Sequence, residues 1–161
     1  MNFSAMIQSQ YLAALEMLKG TITRCPESIW NSPDDKTPFW QIAYHTLFFT
    51  HLYIQDSIKT YAPWHLHRND YESLGHDAAH IAEPYDKATV LDFMEFCGQE
   101  VAKMVPELNL EGESGFDWLP MNKLELQIYN IRHIQQHTGE LMERLGARTG
   151  AKLDWVSFKR G

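Results

Sequence analysis

Apolar residues recur at spacings of three and four along most of the chain, and that period predicts helices rather than strands. Met6, Tyr11, Leu12, Ala14, Leu15, Leu18 and Ile22 trace one such stripe over residues 2–24. Cys25-Pro26 ends it, because a residue before proline is pushed out of helical geometry, and residues 27–30 have room for one short turn. The run NSPDDKTP at 31–38 is a loop by composition. A second helix is predicted from Pro38 to Lys59, with Thr37 as N-cap and Pro38 at the first helical position. It is apolar almost all round, which marks a central, buried helix.

The third helix starts after Asp86 as N-cap and carries Val90, Leu91, Phe93, Met94, Cys97, Val101, Met104, Val105 and Leu108 on its buried side, with Pro106 ending or kinking it. The fourth runs from Asn122 to Leu145. Asn122 is its N-cap, Glu125 can reach back to the cap, and Gly146 is the expected stop. Residues 60–85 and 109–121 are connections, and the tail from residue 147 carries Trp155, Val156 and Phe158, which suggest packing back on the helices. Four long helices with one long crossover between the second and third predict an all-α, antiparallel four-helix bundle, and without repeats or linkers residues 1–161 form a single domain.

Composition narrows the function classes. A chain of 161 residues, 44% hydrophobic and 22% charged, is long enough for one proper core. The formal charge of -7, with no basic run, argues against DNA, RNA and anionic membranes, which bind clustered Lys and Arg. No stretch approaches about 18 uninterrupted apolar residues, and the N-terminus lacks a positive region followed by an apolar one, so neither a membrane span nor an export signal is expected. Cys25 and Cys97 fall in different segments and read as free thiols in a reducing cytoplasm.

The candidate chemistry is histidine. His133 and His137 stand four apart in the fourth helix, so at about 100° per residue both rings leave one face a turn apart, as two nitrogen ligands to one ion require. Leu126, Asn130, Ile134 and Leu141 share that face, whereas Glu125, Arg132, Gln136 and Glu143 lie opposite. Glu140 projects near both rings, as a ligand or as an acceptor behind one. The plainer reading is two core histidines, each satisfied by a hydrogen bond, and a second pair at that spacing, His76 and His80, shows that spacing alone does not decide. In the second helix His45 faces protein, while His51 points about 120° away and cannot share its ion. His65, His67, His76 and His80 in the crossover form a rival set, read more plainly as surface histidines in a long connection; the alternative is that the connection roofs a pocket. Exposed aromatics such as Trp64 or Trp118 could line that pocket or a partner surface. A third histidine from a neighbouring helix, for which His45 has the right surroundings, would make three ligands and leave a position for water or substrate.

Three segments carry a resemblance: WQIAYHTLFFTHLYI in the second helix, EPYDKATVLDFMEF opening the third and NIRHIQQHTGELMERL in the fourth. With these the chain resembles the DinB-like (DinB/YfiT) superfamily of metal-dependent enzymes over nearly its whole length. The resemblance implies a four-helix bundle that commonly dimerises, with His45, His133 and His137 as metal ligands. It departs from the family at Glu140, where Gln is more usual, which leaves the ligand number open. Similar members include transferases that use low-molecular-weight thiols such as bacillithiol, mycothiol or glutathione. The expectation is therefore a divalent transition-metal enzyme, zinc or nickel first, acting on a small-molecule substrate as a thiol S-transferase or a hydrolase, and forming a homodimer. The alternatives are a non-catalytic module in which the metal only ties helices together, and a metal-free interaction protein.

Overall fold

A computed structural model of the chain describes residues 2–74, 81 and 83–160 and is all-α, with no strand among the described residues. Helix α1 spans Phe3–Arg24, α2 is the single turn Glu27–Trp30, α3 spans Phe39–Tyr53, α4 Lys87–Met104 and α5 Lys123–Thr149, with a 3-10 turn at Val105–Glu107 where Pro106 interrupts α4. Side-chain caps start three of the helices. Asn2 accepts from the Ala5 amide at 3.0 Å, Asp86 from Thr89 at 2.7 Å and Asn122 from Glu125 at 2.8 Å.

Three helix boundaries differ from expectation. Helix α3 begins after Pro38, which is the cap residue itself and makes no side-chain cap bond, and it ends at Tyr53 rather than Lys59. The reason lies on α5. The Lys123 ammonium, 3% exposed, donates to the carbonyls of Gln55 and Asp56 at 2.9 Å each and to that of Ser114, so the chain after Tyr53 is drawn away from its axis. Gly115 permits the approach: its φ is +83°, and a Cβ there would sit 2.0 Å from the Asp56 carbonyl oxygen. Burial lowers the Lys123 pKa, but three acceptors consume all three of its hydrogens. Lys123→Met should therefore cost about 2–4 kcal/mol, read as a fall in the urea midpoint, because it strands buried carbonyls. At the other end α5 passes through Gly146 and stops one turn later. Gly150, at φ +71°, closes it by donating to the Gly146 carbonyl at 2.8 Å.

Helix α1 packs on α4 and α5, and α3 packs on the same two. Contacts between side chains give the directions. Tyr44 lies on Phe93 and His51 on Phe96, so α3 and α4 run the same way. Tyr11 bonds Gln127 and Met17 meets Gln135, so α1 and α5 also run together. Gln8 reaches the Ala102 carbonyl and Lys19 reaches Glu95, and Phe49 meets His133 while Tyr53 meets Tyr129, so α1/α4 and α3/α5 are opposed. A parallel α3/α4 pair needs a connection that returns along the whole length of the helices, and residues 54–86 supply it.

The described parts of that connection are anchored on the helices. Trp64 is 3% exposed and stacks on Phe93 at 4.5 Å, against the expectation of an exposed ring, and Tyr85 is buried against Trp40 and Tyr44. Trp118 is exposed as expected. In the tail the expectation fails for the aromatics. Trp155 and Phe158 point to solvent, and the segment is held along α1 by polar contacts instead, with Lys159 on Glu16 at 2.6 Å and Gln10 on the Ser157 carbonyl at 3.2 Å. Cys25 and Cys97 are both buried and free. None of the described helices is long and apolar enough to cross a membrane.

Candidate metal centre

Helix α3 is buried at every residue except His45 and Phe49. Its apolar circumference forces it into the core, and these two side chains mark the one place where it meets solvent, at its seam with α5. Directly across the seam stand His133 and His137. One potential ligand atom from each of the three histidines lies within 4.8 Å of the others, and among the described residues this is the one such group of three. The antiparallel α3/α5 register produces the match. His45 packs midway between two rings one turn apart, with centroids 5.0 Å from His133 and 4.9 Å from His137.

The hydrogen bonds around the cluster assign its nitrogens. His45 Nδ1 lies against the Glu72 backbone carbonyl, which can only accept, so Nδ1 carries the proton and Nε2 faces inward as a lone pair. His137 Nδ1 faces the Glu140 carboxylate at 3.1 Å, leaving Nε2 as its free nitrogen. His45 Nε2 and His133 Nε2 are 3.0 Å apart. Two nitrogens each about 2.0–2.1 Å from a common ion and at right angles to it are about 3 Å apart, so the spacing fits a shared cation. Acceptors behind the ring are what metal-binding imidazoles generally use to fix tautomer and orientation. His133 Nδ1 has no such partner among the described residues. The donor set therefore fits a divalent transition metal, and the three rings differ in how firmly they are held.

Charge on the rings is disfavoured. Burial pushes His45 down to about 4, only partly offset by the Glu72 carbonyl, and pushes His133 down to about 3 with help from the other two histidines. At neutral pH both are neutral, so no proton need leave them before they bind metal. The same shifts set an acid limit for the metal-free chain. Above the unfolded value near 6.5 both states are neutral and stability is full; as pH falls below it the unfolded chain binds protons that the folded one refuses until about 4 or lower. His51, lowered to about 4 by burial, adds to the effect. In chelator the urea midpoint should fall steadily from pH 6.5 to 4.

The other histidines are accounted for separately. His51 is enclosed by Tyr61, Phe93 and Phe96, on the far side of α3 as its angle requires. His67 lies in the crossover with its Nδ1 2.7 Å from the Tyr44 hydroxyl and its ring stacked on Phe48. His65 is exposed beside Trp64. His76 and His80 lie outside the described residues, so the rival set is represented here only by two histidines that do not converge with a third. Surface clefts elsewhere, such as those lined by Ser57, Glu113 and Asp117 or by Met6 and Phe158, contain no histidine. Converging donors, not concavity, decide where an ion binds, so the seam is the candidate site.

Sequence reasoning found the three rings and offered Glu140 as an acceptor behind one of them, but missed the acceptor behind His45 and the arginine behind Glu140. The acceptor behind His45 is a backbone carbonyl and has no side-chain signature. Arg144, which pairs with Glu140 at 3.4 Å, stands four residues after it and was open to discovery as an i,i+4 pair. Compared with protein-family models, with curated proteins and with solved structures, the chain matches none.

Proposed function

We propose that this chain is a divalent-metal-dependent enzyme of the DinB-like kind, built as a four-helix bundle, with His45, His133 and His137 as ligands and a low-molecular-weight thiol as the preferred substrate. The observation that supports the reading best is the convergence of three imidazoles, two of them kept neutral by burial, at the one solvent window of α3. A divalent ion held there, zinc or nickel by ligand type, would supply the positive charge that lowers the pKa of a thiol or a water. His45 and His137 are turned by Glu72 and Glu140 so that their lone pairs face inward. Phe49, with its ring 4.8 Å from His45 and 5.7 Å from His133, forms an apolar wall beside the ligands and keeps bulk water off that side. In S-transfer the thiol sulfur forms a bond to an electrophilic carbon as the leaving group departs with its electron pair, and the thiol proton passes to solvent. Hydrolysis follows the same course with water in place of thiol. A homodimer and a reducing cytoplasmic setting belong to the same reading; they rest on the resemblance and on two unpaired cysteines.

Elemental analysis of gently purified protein should find about one zinc or nickel ion per chain. The stripped and reloaded forms should then differ in turnover against a panel of thiols with alkylating electrophiles and of simple esters. Failure of micromolar zinc, nickel or cobalt to bind at pH 7.5 removes the metal reading. A loaded protein inactive across the panel leaves the non-catalytic, metal-tied module in its place.

A further inference from the structure

Glu140 poses a question that the three histidines do not answer, because a carboxylate this close to an ion can close the site as readily as support it. Its two oxygens are both engaged away from the cluster. Oε2 faces His137 Nδ1 at 3.1 Å, on the side of the ring opposite its free nitrogen, and Oε1 faces Arg144 Nη2 at 3.4 Å. Glu140 itself is 44% exposed, so burial does not hold it there. Arg144 is better fixed. Its side chain is 17% exposed and donates to the Thr37 carbonyl at 2.9 Å, and it pairs with Asp35 at 3.3 Å. Asp35 is 5% exposed at the side chain and is also gripped by Arg148. The loop before α3 thus clamps an arginine of α5, and the arginine clamps Glu140.

We infer that Arg144 keeps the coordination sphere of the histidine centre open by holding Glu140 behind His137 as an orienting acceptor, in a position where it is not a ligand. The inference rests on the metal reading above and adds to it that the centre has three protein ligands and a vacancy for substrate. Glu140 and Arg144 are positioning residues in this scheme. With Arg144 removed, the His137 ring alone restrains the carboxylate, and a flexible, negatively charged side chain one turn from a cation moves to it.

The test uses cobalt(II) as the ion and azide as a small exogenous ligand, both followed by visible absorption of the full-length protein. The wild type should take up cobalt and shift its spectrum with azide. Arg144→Met should bind cobalt several-fold more tightly and azide at least tenfold more weakly. Adding Glu140→Gln to that variant should bring azide affinity back to within threefold of wild type, an outcome that a merely structural role for Arg144 does not produce. Where Arg144→Met fails to fold, Asp35→Asn, which withdraws the buried anchor of Arg144, should shift azide affinity in the same direction by a smaller factor. A loaded wild type whose azide affinity is unchanged in the arginine variant, or a double variant that stays closed, overturns this inference alone. A wild type that takes up no cobalt overturns the metal reading together with it.

Discussion

His45→Ala should weaken zinc binding by more than about 100-fold while leaving the helical fold in place. Losing an acceptor behind a ligand already costs about 10–100-fold, so losing the ligand itself costs more. The fold should survive because His45 is one of only two α3 residues that are not fully buried. Zinc titration against a competing chelator, with circular dichroism on the same sample, checks both halves. His51→Ala is the matched control, another α3 histidine that faces away from the cluster. It should lose stability, through the cavity left among Tyr61, Phe93 and Phe96, yet bind zinc as the wild type does. Equal zinc affinity in His45→Ala and wild type would mean that the three rings are hydrogen-bonded core residues.

Trp64→Ala should cost about 3–5 kcal/mol, the usual range for deleting a buried aromatic side chain. The ring is almost wholly buried and lies flat on Phe93, so its loss frees the crossover from α4. The consequence reaches the centre, because the same crossover carries the Glu72 carbonyl that fixes the His45 tautomer. A second effect is therefore expected in the variant that still folds, a weakening of zinc by about tenfold with all three ligands intact. Urea unfolding in chelator gives the first number and zinc titration the second. A stability loss with unchanged zinc affinity would mean that residues 65–72 are held without the tryptophan.

The local chemistry of the helices was readable because caps, breakers and apolar period act over a few residues. Asn122, Asp86 and Pro106 do what their side chains dictate in any setting. Expectation failed where a distant group competed. Helix α3 stops early because a lysine on α5, some seventy positions away, takes its outgoing carbonyls. The aromatic tail misled for a related reason: hydrophobic residues signal a need for cover, but Glu16 and Gln10 of α1 hold the tail with its rings outward.

The sequence by itself determined an all-α chain, two imidazoles on one face of α5 and a third on a helix too apolar to lie anywhere but inside. Spacing along a helix is fixed by its geometry, so His133 and His137 had to be neighbours. Whether His45 joined them depended on the relative direction and register of α3 and α5, which no local rule sets. Tertiary packing decided that, together with the Glu72 carbonyl behind one ring and the grip of Asp35 and Thr37 on Arg144. These are contacts between segments far apart in the chain, and only burial of the shared core brings such segments to a common place.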